Sequence, residues 1–180
     1  MKTLVINGSP RRKGDTSYLV HLINKKLRGE VDIINVYDFG FNPCIDCRAC
    51  LDNKACIFDD EMSDLIDNIE RYDNIIIATP LYYNQPTGEL LSLMSRNQII
   101  FNQGRKLRGK RGGVIVVGGG DSIVNSSDAE KTIRIMLKSY NVNVIAYARS
   151  LHTSTLPAKS DLVAINEVCN MIGKLNNEIE

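Results

Sequence analysis

The sequence lacks a strong excess of charge of either sign. It carries 22 Lys and Arg residues against 21 Asp and Glu residues, which gives a formal net charge of +1. A balance this even leaves little net field to attract phosphate backbones or anionic lipid. The composition therefore argues against a protein that binds nucleic acid or a membrane surface.

Long hydrophobic runs are also missing. The apolar runs, such as those at residues 75–78 and 114–117, have the length of strands. A membrane-spanning helix needs about 20 apolar residues. Near the start, the apolar run at residues 4–6 leads at once into a Gly-Ser-Pro turn, which is unlike a secretory signal. We therefore expect a cytoplasmic protein with no membrane-spanning segment.

Histidine is scarce, with only His21 and His152 in the chain. His21 falls on a predicted helix and is expected at its surface, and His152 has no visible partner in the sequence. Neither is a strong candidate for a nucleophile or a metal ligand. We predict no catalytic acid or base among the side chains.

The order of predicted elements indicates an α/β fold. A length that one hydrophobic core supports predicts a single domain over residues 1–180. Between the strands lie segments with helical spacing, among them 87–97, 128–140 and 160–177. The predicted strands are Thr3 to Asn7, Val31 to Tyr37, Asn74 to Thr79, Gly113 to Val117 and Asn143 to Arg149.

Strands that alternate with helices form a parallel sheet, and several of these strands are apolar throughout. Such strands are typical of a sheet that helices cover on both faces. We therefore predict a doubly wound, five-stranded parallel sheet in a three-layer α/β/α arrangement. Sheets of this kind bind ligands beyond the carboxyl ends of their strands, so the loops after strands one, three and four should form the site.

The loop after strand one, residues 7–17, combines turn residues, hydroxyls and three basic side chains just before a helix. Backbone N–H groups at a helix N-terminus and nearby hydroxyls are suited to a phosphate group. The loop has neither the Gly-Lys-Ser/Thr ending of a nucleoside triphosphate site nor the G-x-G-x-x-G of a dinucleotide site. The alternative is an ordinary capped turn with solvated basic residues.

The loop after strand three, residues 78–87, places Tyr82 and Tyr83 beside a proline and two amides. Aromatic faces and amide groups are suited to a flat, polar-edged ring system. The alternative is that one of the two tyrosines only covers the end of the sheet and has no contact with a ligand. The loop after strand four begins with the glycines at 118–120, where backbone can approach a ligand closely, although three glycines also form flexible turns.

Four of the five cysteines fall between Cys44 and Cys56, with the spacing C-x2-C-x2-C-x5-C. A structural disulfide framework is not expected in the cytoplasm. A compact cysteine loop is typical of a cubane iron–sulfur cluster, whereas zinc sites are more often built from two separated pairs. Zinc, a reversible thiol switch and thiols that merely pack remain alternatives.

The first loop resembles that of the NADPH-dependent FMN reductase family, which commonly has the pattern Gly-Ser-Pro-Arg-x-x-Gly-x-Thr. Positions 8–16 match this pattern without a gap. The resemblance implies a flavodoxin-like fold that binds FMN. The second flavin loop of the family typically reads Ser-Pro-x-Tyr, and residues 80–84 fall on those positions. The cofactor-binding residues expected from these loops are Ser9, Arg11, Thr16, Ser17, Pro80, Leu81, Tyr82, Tyr83, Asn84, Gly118, Gly119 and Gly120.

The cysteine spacing resembles that of the iron–sulfur flavoproteins, a branch of the same fold. In that branch the fourth cysteine is followed by an acidic pair and a helix, as at residues 56–62 here. One departure is that Arg96 lacks the acidic neighbour that many relatives have on the same helix. The resemblance implies a [4Fe-4S] cluster held by Cys44, Cys47, Cys50 and Cys56.

The family resemblance implies an oxidoreductase that holds FMN tightly and is reduced by NAD(P)H. The nicotinamide donor would bind only transiently over the flavin, because the sequence has no dinucleotide-binding fingerprint. The acceptor would be a small molecule such as a quinone, a nitro or azo compound, free flavin or oxygen. One alternative is an iron–sulfur electron carrier that receives electrons from ferredoxin, and another is a non-catalytic ligand-binding domain of the same fold. Relatives also imply a homodimer or homotetramer.

Overall fold

A computed structural model describes residues 1–52, 55–120 and 125–176. Five strands form one sheet in the order β2-β1-β3-β4-β5, and every neighbouring pair is parallel. The predicted doubly wound parallel sheet is therefore confirmed. The strands are β1 (Lys2–Asn7), β2 (Glu30–Asn35), β3 (Asn74–Pro80), β4 (Lys110–Val117) and β5 (Val142–Ser150).

Helices follow the strands along the chain and cover both faces of the sheet. The first face is covered by α1 and α7, and the second mainly by α3, α4 and α6. Short 3-10 turns at Val36–Asp38 and Ile69–Arg71 complete the connections. The helices are α1 (Asp15–Lys26), α2 (Ala49–Asp52), α3 (Glu61–Asp67), α4 (Gly88–Ser95), α5 (Gln98–Asn102), α6 (Ser127–Ser139) and α7 (Leu162–Asn176).

Alternate residues of each strand supply the two halves of the core. In β3, Ile75 and Ile77 pack toward the α3, α4 and α6 face, while Ile76 packs toward α1 and α7. All three are fully buried. Because both faces need apolar side chains, the strand is hydrophobic throughout instead of alternating. This packing explains the continuous apolar runs in the sequence.

The helix predicted over residues 87–97 ends two residues early in the structure. It spans Gly88–Ser95, and a separate helix that was not predicted, α5, begins at Gln98. The side chains of Arg96 and Asn97 are drawn into buried polar contacts, with Asp60 and Tyr140 respectively. The tightened turn that places these side chains interrupts the regular helix.

Other boundaries differ by a few residues. The second strand ends at Asn35, two residues before the predicted Tyr37, because the chain turns there into the first 3-10 segment. The fourth strand begins at Lys110, three residues before the predicted Gly113, since the basic residues at its start pair with β5. Residue 177 of the last predicted helix lies outside the described residues.

The strand order fixes where a ligand site can form. The chain passes from β1 outward to β2 and then returns to place β3 on the other side of β1. Connections on the two sides of this point leave in opposite directions, so a crevice opens between the carboxyl ends of β1 and β3. In the part of the chain that is described, no helix has both the length and the apolar character needed to cross a membrane.

Candidate active site at the carboxyl edge of the sheet

A cleft of about 350 Å³ opens at the switch point. Its walls come from the carboxyl ends of β3 and β4, the loops after β1, β3, β4 and β5, and the start of α1. The volume lies at the lower end of the range for small-molecule sites, about 300–1,000 Å³. We refer to this feature as the switch-point cleft.

The β1–α1 loop, residues 8–14, forms one wall and is held largely by nearby atoms. The carbonyl of Arg11 accepts hydrogen bonds from the Gly14 N–H at 3.1 Å and from the Ser17 hydroxyl at 2.7 Å. Asn7 Nδ2 donates to Ser17 Oγ at 3.2 Å. The Ser17 hydroxyl is thus engaged inside the loop, where it fixes the backbone that presents Arg11.

The N-terminus of α1 opens into the cleft. Gly14 caps this helix with no side-chain hydrogen bond, and a Cβ added there would lie 2.9 Å from the Arg11 Cβ. The first N–H groups of a helix carry partial positive charge and bind anions. The hydroxyl side chains of Ser9 and Thr16 line the same wall. This end of the cleft is therefore suited to a phosphate group.

Charged side chains also border this wall. Arg11 is exposed and lines the cleft, whereas Arg12 forms an ion pair with Asp38 at 2.5 Å. Asp15 Oδ1 accepts a hydrogen bond from the Ala158 N–H at 2.7 Å, which ties the start of α1 to the segment after β5. Arg11 is thus the basic side chain placed to meet a bound anion.

The loop after β3 contains a tight turn. Tyr82 and Gln85 exchange backbone hydrogen bonds of 2.9 and 3.0 Å, and the two residues between them, Tyr83 and Asn84, have positive φ. Tyr82 is 46% exposed and lines the cleft, while Tyr83 is fully exposed and lies outside it. Only one of the two tyrosines is therefore placed as a wall for a planar ligand.

The loop after β4 is tied to a segment that sequence reasoning did not include. The Gly118 carbonyl accepts hydrogen bonds from Thr153 N–H at 3.0 Å and from Thr153 Oγ1 at 3.1 Å. The Ser154 hydroxyl donates to the Gly119 carbonyl. Thr153 and Ser154 line the cleft beside Gly119. A run of hydroxyls after the last strand was the available signal for them.

The predicted cofactor residues are brought together only in part. Those that line the cleft are Ser9, Arg11, Thr16, Pro80, Leu81, Tyr82 and Gly119. Those that flank it without lining it are Ser17, Tyr83, Asn84, Gly118 and Gly120. The lining residues that were not predicted are Pro10, Gly14, Asp15, Val117, Thr153 and Ser154. Residues 121 and 122, an Asp and a Ser that follow the three glycines, lie outside the described residues.

A second concavity lies in the segment after β2. We call residues 42–60 the cysteine loop, and the concavity the cysteine pocket, which Arg96, Gln98 and Asn102 complete. Asp46 and Arg48 have φ of 51° and 63°, so the backbone turns sharply between successive cysteines. All the cysteines are free thiols. The four that line this pocket are Cys44, Cys47, Cys50 and Cys56.

The cysteine loop is fastened to α4 and α5. The Cys44 N–H donates to Ser95 Oγ at 3.0 Å, and Asn102 Nδ2 donates to Cys50 Sγ at 3.1 Å. Cys44 and Cys47 are exposed, whereas Cys50 is half-buried. Within residues 1–52, 55–120 and 125–176, no three His, Cys, Asp or Glu side chains are grouped as ligands of a metal ion.

A buried ion pair closes the base of the cysteine pocket. The Arg96 guanidinium donates to both Asp60 carboxylate oxygens, at 2.6 and 3.0 Å, and to the Asn42 carbonyl at 2.8 Å. Burial alone would raise the pKa of Asp60, but hydrogen bonds from Arg96 and from two backbone N–H groups lower that pKa to about 2. Arg96 therefore does have an acidic partner, supplied by the cysteine loop and not by its own helix.

A larger and more open groove, about 760 Å³, lies at the opposite, amino edge of the sheet. Two of its basic side chains are engaged in ion pairs: Arg108 with Asp73 at 3.0 Å and Lys110 with Glu70 at 3.3 Å. Parallel sheets place their sites at the carboxyl edge. Geometry and chemistry therefore favour the smaller switch-point cleft as the active site.

The fold and this cleft together define a flavodoxin-like α/β protein in which the N-terminus of α1 opens into a cleft at the switch point. A model of the NADPH-dependent FMN reductase family matches residues 1–153. The chain belongs to the NADPH-dependent FMN reductase family. The sequence-based expectation of an oxidoreductase of this type is thereby confirmed.

Curated relatives add a second feature. An iron–sulfur flavoprotein of Methanosarcina thermophila is 28% identical over 187 aligned residues, which cover 100% of this chain and 96% of that protein. An iron–sulfur flavoprotein of Methanocaldococcus jannaschii is 37% identical over 123 residues, which cover 66% of this chain but only 62% of the relative. The resemblance to the iron–sulfur flavoproteins is thus confirmed at the level of family.

Solved structures confirm the fold. An FMN-dependent NADH-azoreductase from Bacillus anthracis, solved in complex with FMN, superposes with a TM-score of 0.67. The match covers 98% of this chain and 100% of that chain, at 19% identity. The flavodoxin-like fold expected from the sequence is therefore the fold observed.

Proposed function

We propose that the protein is an FMN-dependent NAD(P)H oxidoreductase whose FMN phosphate binds at the N-terminus of α1. The observation that carries this proposal is the start of α1, which has no side-chain cap and opens into the cleft beside the hydroxyls of Ser9 and Thr16. Backbone N–H groups and hydroxyls bind a phosphate without any basic cradle, and Arg11 adds one positive charge at the rim. Ser17 acts by holding the loop in shape.

The flavin ring would then extend along the carboxyl ends of β3 and β4. Pro80, Leu81 and Tyr82 offer an apolar and aromatic wall on one side, and Gly119 brings backbone close on the other. Aromatic side chains pack well against planar rings. Asn84 and Gly118 would support these loops from outside the lining, since Asn84 Oδ1 accepts from the Asn125 N–H and the Gly118 carbonyl accepts from Thr153. Contacts of the fully exposed Tyr83 and of Gly120 with FMN stay predictions.

FMN supplies the redox chemistry when bound, since it accepts electrons from one substrate and passes them to another. The protein's own residues would bind the phosphate and orient the ring, and Tyr82, which is 46% exposed, leaves this part of the cleft open to solvent. A donor such as NADPH or NADH would approach from that side. The acceptor, a quinone, nitro or azo compound, flavin or oxygen, stays a prediction.

A second candidate is an iron–sulfur flavoprotein that takes electrons from ferredoxin. It is favoured by the four cysteines around one pocket and by the names of the curated relatives. A cubane cluster binds each cysteine to a different iron atom, so its ligands need wider spacing than those of a single ion. Cys44, Cys47, Cys50 and Cys56 would hold a [4Fe-4S] cluster, and the sharp turns at Asp46 and Arg48 fit a loop that wraps it.

The two candidates share a fold and differ in the electron donor. The deciding experiment mixes the anaerobic, FMN-loaded protein separately with NADPH, NADH and a reduced ferredoxin, and follows flavin absorbance over time. Bleaching by a nicotinamide supports the oxidoreductase, and bleaching by ferredoxin alone supports the electron carrier. Failure to bind FMN would overturn both and favour a ligand-binding domain. The homodimer or homotetramer and the cytoplasmic location stay predictions.

A further inference from the structure

Asn102, at the end of α5, points a hydrogen-bond donor at one cysteine of the pocket. Its Nδ2 lies 3.1 Å from Cys50 Sγ. Its Oδ1 accepts a hydrogen bond from Gln98 Nε2 at 2.9 Å, so the two ends of the amide have distinct partners. The contact joins residues 52 positions apart, which means that the fold, not the local chain, places this donor.

Arg96 is a second donor group in the same pocket. Its side chain is 1% exposed, and its two terminal nitrogens are engaged by Asp60, Asn42 and Ser63. Its Nε is buried and has no hydrogen-bond partner among the described residues. A buried guanidinium N–H without a partner is costly, so a polar occupant of the pocket would relieve it.

Hydrogen bonds to cysteine sulfurs affect the redox properties of the centre that those sulfurs bind. Reduction adds negative charge to the metal and its thiolate ligands, and a donor stabilises that charge more in the reduced state than in the oxidised one. Iron–sulfur potentials accordingly depend on hydrogen bonds to sulfur. A donor that is fixed by its own partner, as Asn102 is by Gln98, keeps this effect in both states.

We infer that Asn102 is a positioning residue that raises the reduction potential of the cysteine centre through its hydrogen bond to Cys50 Sγ. Arg96 gives the same pocket a buried positive charge and a further donor. This inference rests on the proposed [4Fe-4S] cluster. It goes beyond that proposal because it assigns a role to a residue outside the cysteine motif and states the sign of its effect.

The test is an anaerobic redox titration of the purified protein, followed by electron paramagnetic resonance of the reduced cluster, with iron counted in each sample. Asn102→Leu keeps the size of the side chain but removes the donor. We expect the ratio of reduced to oxidised cluster at a fixed ambient potential to fall about tenfold, a downward shift of about 59 mV for a one-electron couple. Asn102→Gln, which retains an amide donor, should recover most of the loss.

Gln98→Ala keeps the donor to Cys50 but removes the partner that orients the Asn102 amide. Its midpoint should therefore shift in the same direction as that of Asn102→Leu, by a smaller amount. Iron near four per chain with an unchanged midpoint in Asn102→Leu would overturn this inference alone. Wild-type protein without iron would overturn the proposed cluster, and the inference with it.

Discussion

The β1–α1 loop and the cysteine loop leave the same edge of the sheet, after adjacent strands, yet they are built differently. The first is held mostly by hydrogen bonds between residues at most ten positions apart, such as Asn7 Nδ2 to Ser17 Oγ. The second depends on contacts with α4 and α5, among them Arg96 to Asp60 across 36 positions. Local contacts therefore contribute more to the shape of the first loop, although Gly8 also bonds Ala78 and Thr87, and contacts with distant elements contribute more to the second.

The difference separates two ways of preparing a cofactor site. A short loop that closes on its own helix is ordered before any ligand arrives, so little conformational entropy is lost on binding. The cysteine loop exposes Cys44 and Cys47 and keeps its shape largely through one buried ion pair. Substitutions in the ion pair should therefore lower the free energy of unfolding and leave the affinity for FMN unchanged. Substitutions in the first loop should lower the affinity for FMN and leave the free energy of unfolding unchanged.

The largest effect is expected from Asp60→Asn. This change leaves the buried Arg96 charge without its partner, and breaking a buried pair in this way costs about 3–5 kcal/mol. Urea unfolding of the variant should show a loss in that range, while the dissociation constant of FMN stays as in the wild type.

Asp59→Asn is the control, because Asp59 is the exposed neighbour in the same acidic pair. Its free energy of unfolding should stay within about 0.5 kcal/mol of the wild type. Equal losses at the two positions would show that the ion pair does not hold the loop.

Thr16→Val tests the other half of the comparison. The hydroxyl of Thr16 is proposed to bond the FMN phosphate, and a hydrogen bond to a charged group contributes about 1.5–3 kcal/mol. Fluorescence titration should show FMN affinity reduced roughly 10- to 100-fold. Affinity for riboflavin, which has no phosphate, should be unchanged, and an equal loss for both ligands would remove Thr16 from the phosphate site.

Low pH should reduce the free energy of unfolding, because protonation of Asp60 removes the charge that pairs with Arg96. Its pKa is lowered from the model-peptide value of 3.8 to about 2 in the folded protein, so the stabilisation is present above pH 4 and is lost as the pH falls toward 2. The shift corresponds to about 2 kcal/mol, of which roughly half should be gone at pH 3. The difference in unfolding free energy between wild type and Asp60→Asn should therefore shrink by about 1 kcal/mol between pH 5 and pH 3. A difference that stays constant over this range would contradict the lowered pKa of Asp60.

The smallest expected effect concerns the two adjacent tyrosines. Tyr82 lines the cleft and Tyr83 does not. An aromatic contact contributes about 0.5–1.5 kcal/mol beyond its buried area, so Tyr82→Leu should weaken FMN binding roughly 2- to 12-fold. Tyr83→Leu should leave binding unchanged. A larger loss of FMN affinity in Tyr83→Leu than in Tyr82→Leu would contradict the proposed position of the flavin beside Tyr82.

The sequence predicted the features that depend on local patterns. Apolar runs and turn residues located all five strands, and the match at positions 8–16 located the helix N-terminus in the cleft. The features that could not be predicted depend on contacts between residues that are far apart in the sequence. Thr153 and Ser154 reach the cleft only because β5 lies beside β4, and Arg96 finds Asp60 only after α4 packs beside the cysteine loop.

The early end of the helix predicted over residues 87–97 has the same origin. The local pattern continues the helix to Asn97, but the side chains of Arg96 and Asn97 form buried contacts with other elements. The choice between Tyr82 and Tyr83 likewise depended on the left-handed turn at Tyr83 and Asn84, which propensity alone does not indicate.

The central proposal is that the chain binds FMN in the switch-point cleft, and the second candidate function adds an iron–sulfur cluster in the cysteine pocket. The most direct measurement is an anaerobic visible spectrum of freshly purified protein, with FMN, iron and acid-labile sulfide counted in the same sample. The account predicts flavin bands with about one FMN and about four iron atoms per chain. Flavin without iron would contradict the cluster, and failure to retain or bind added FMN would contradict the account as a whole.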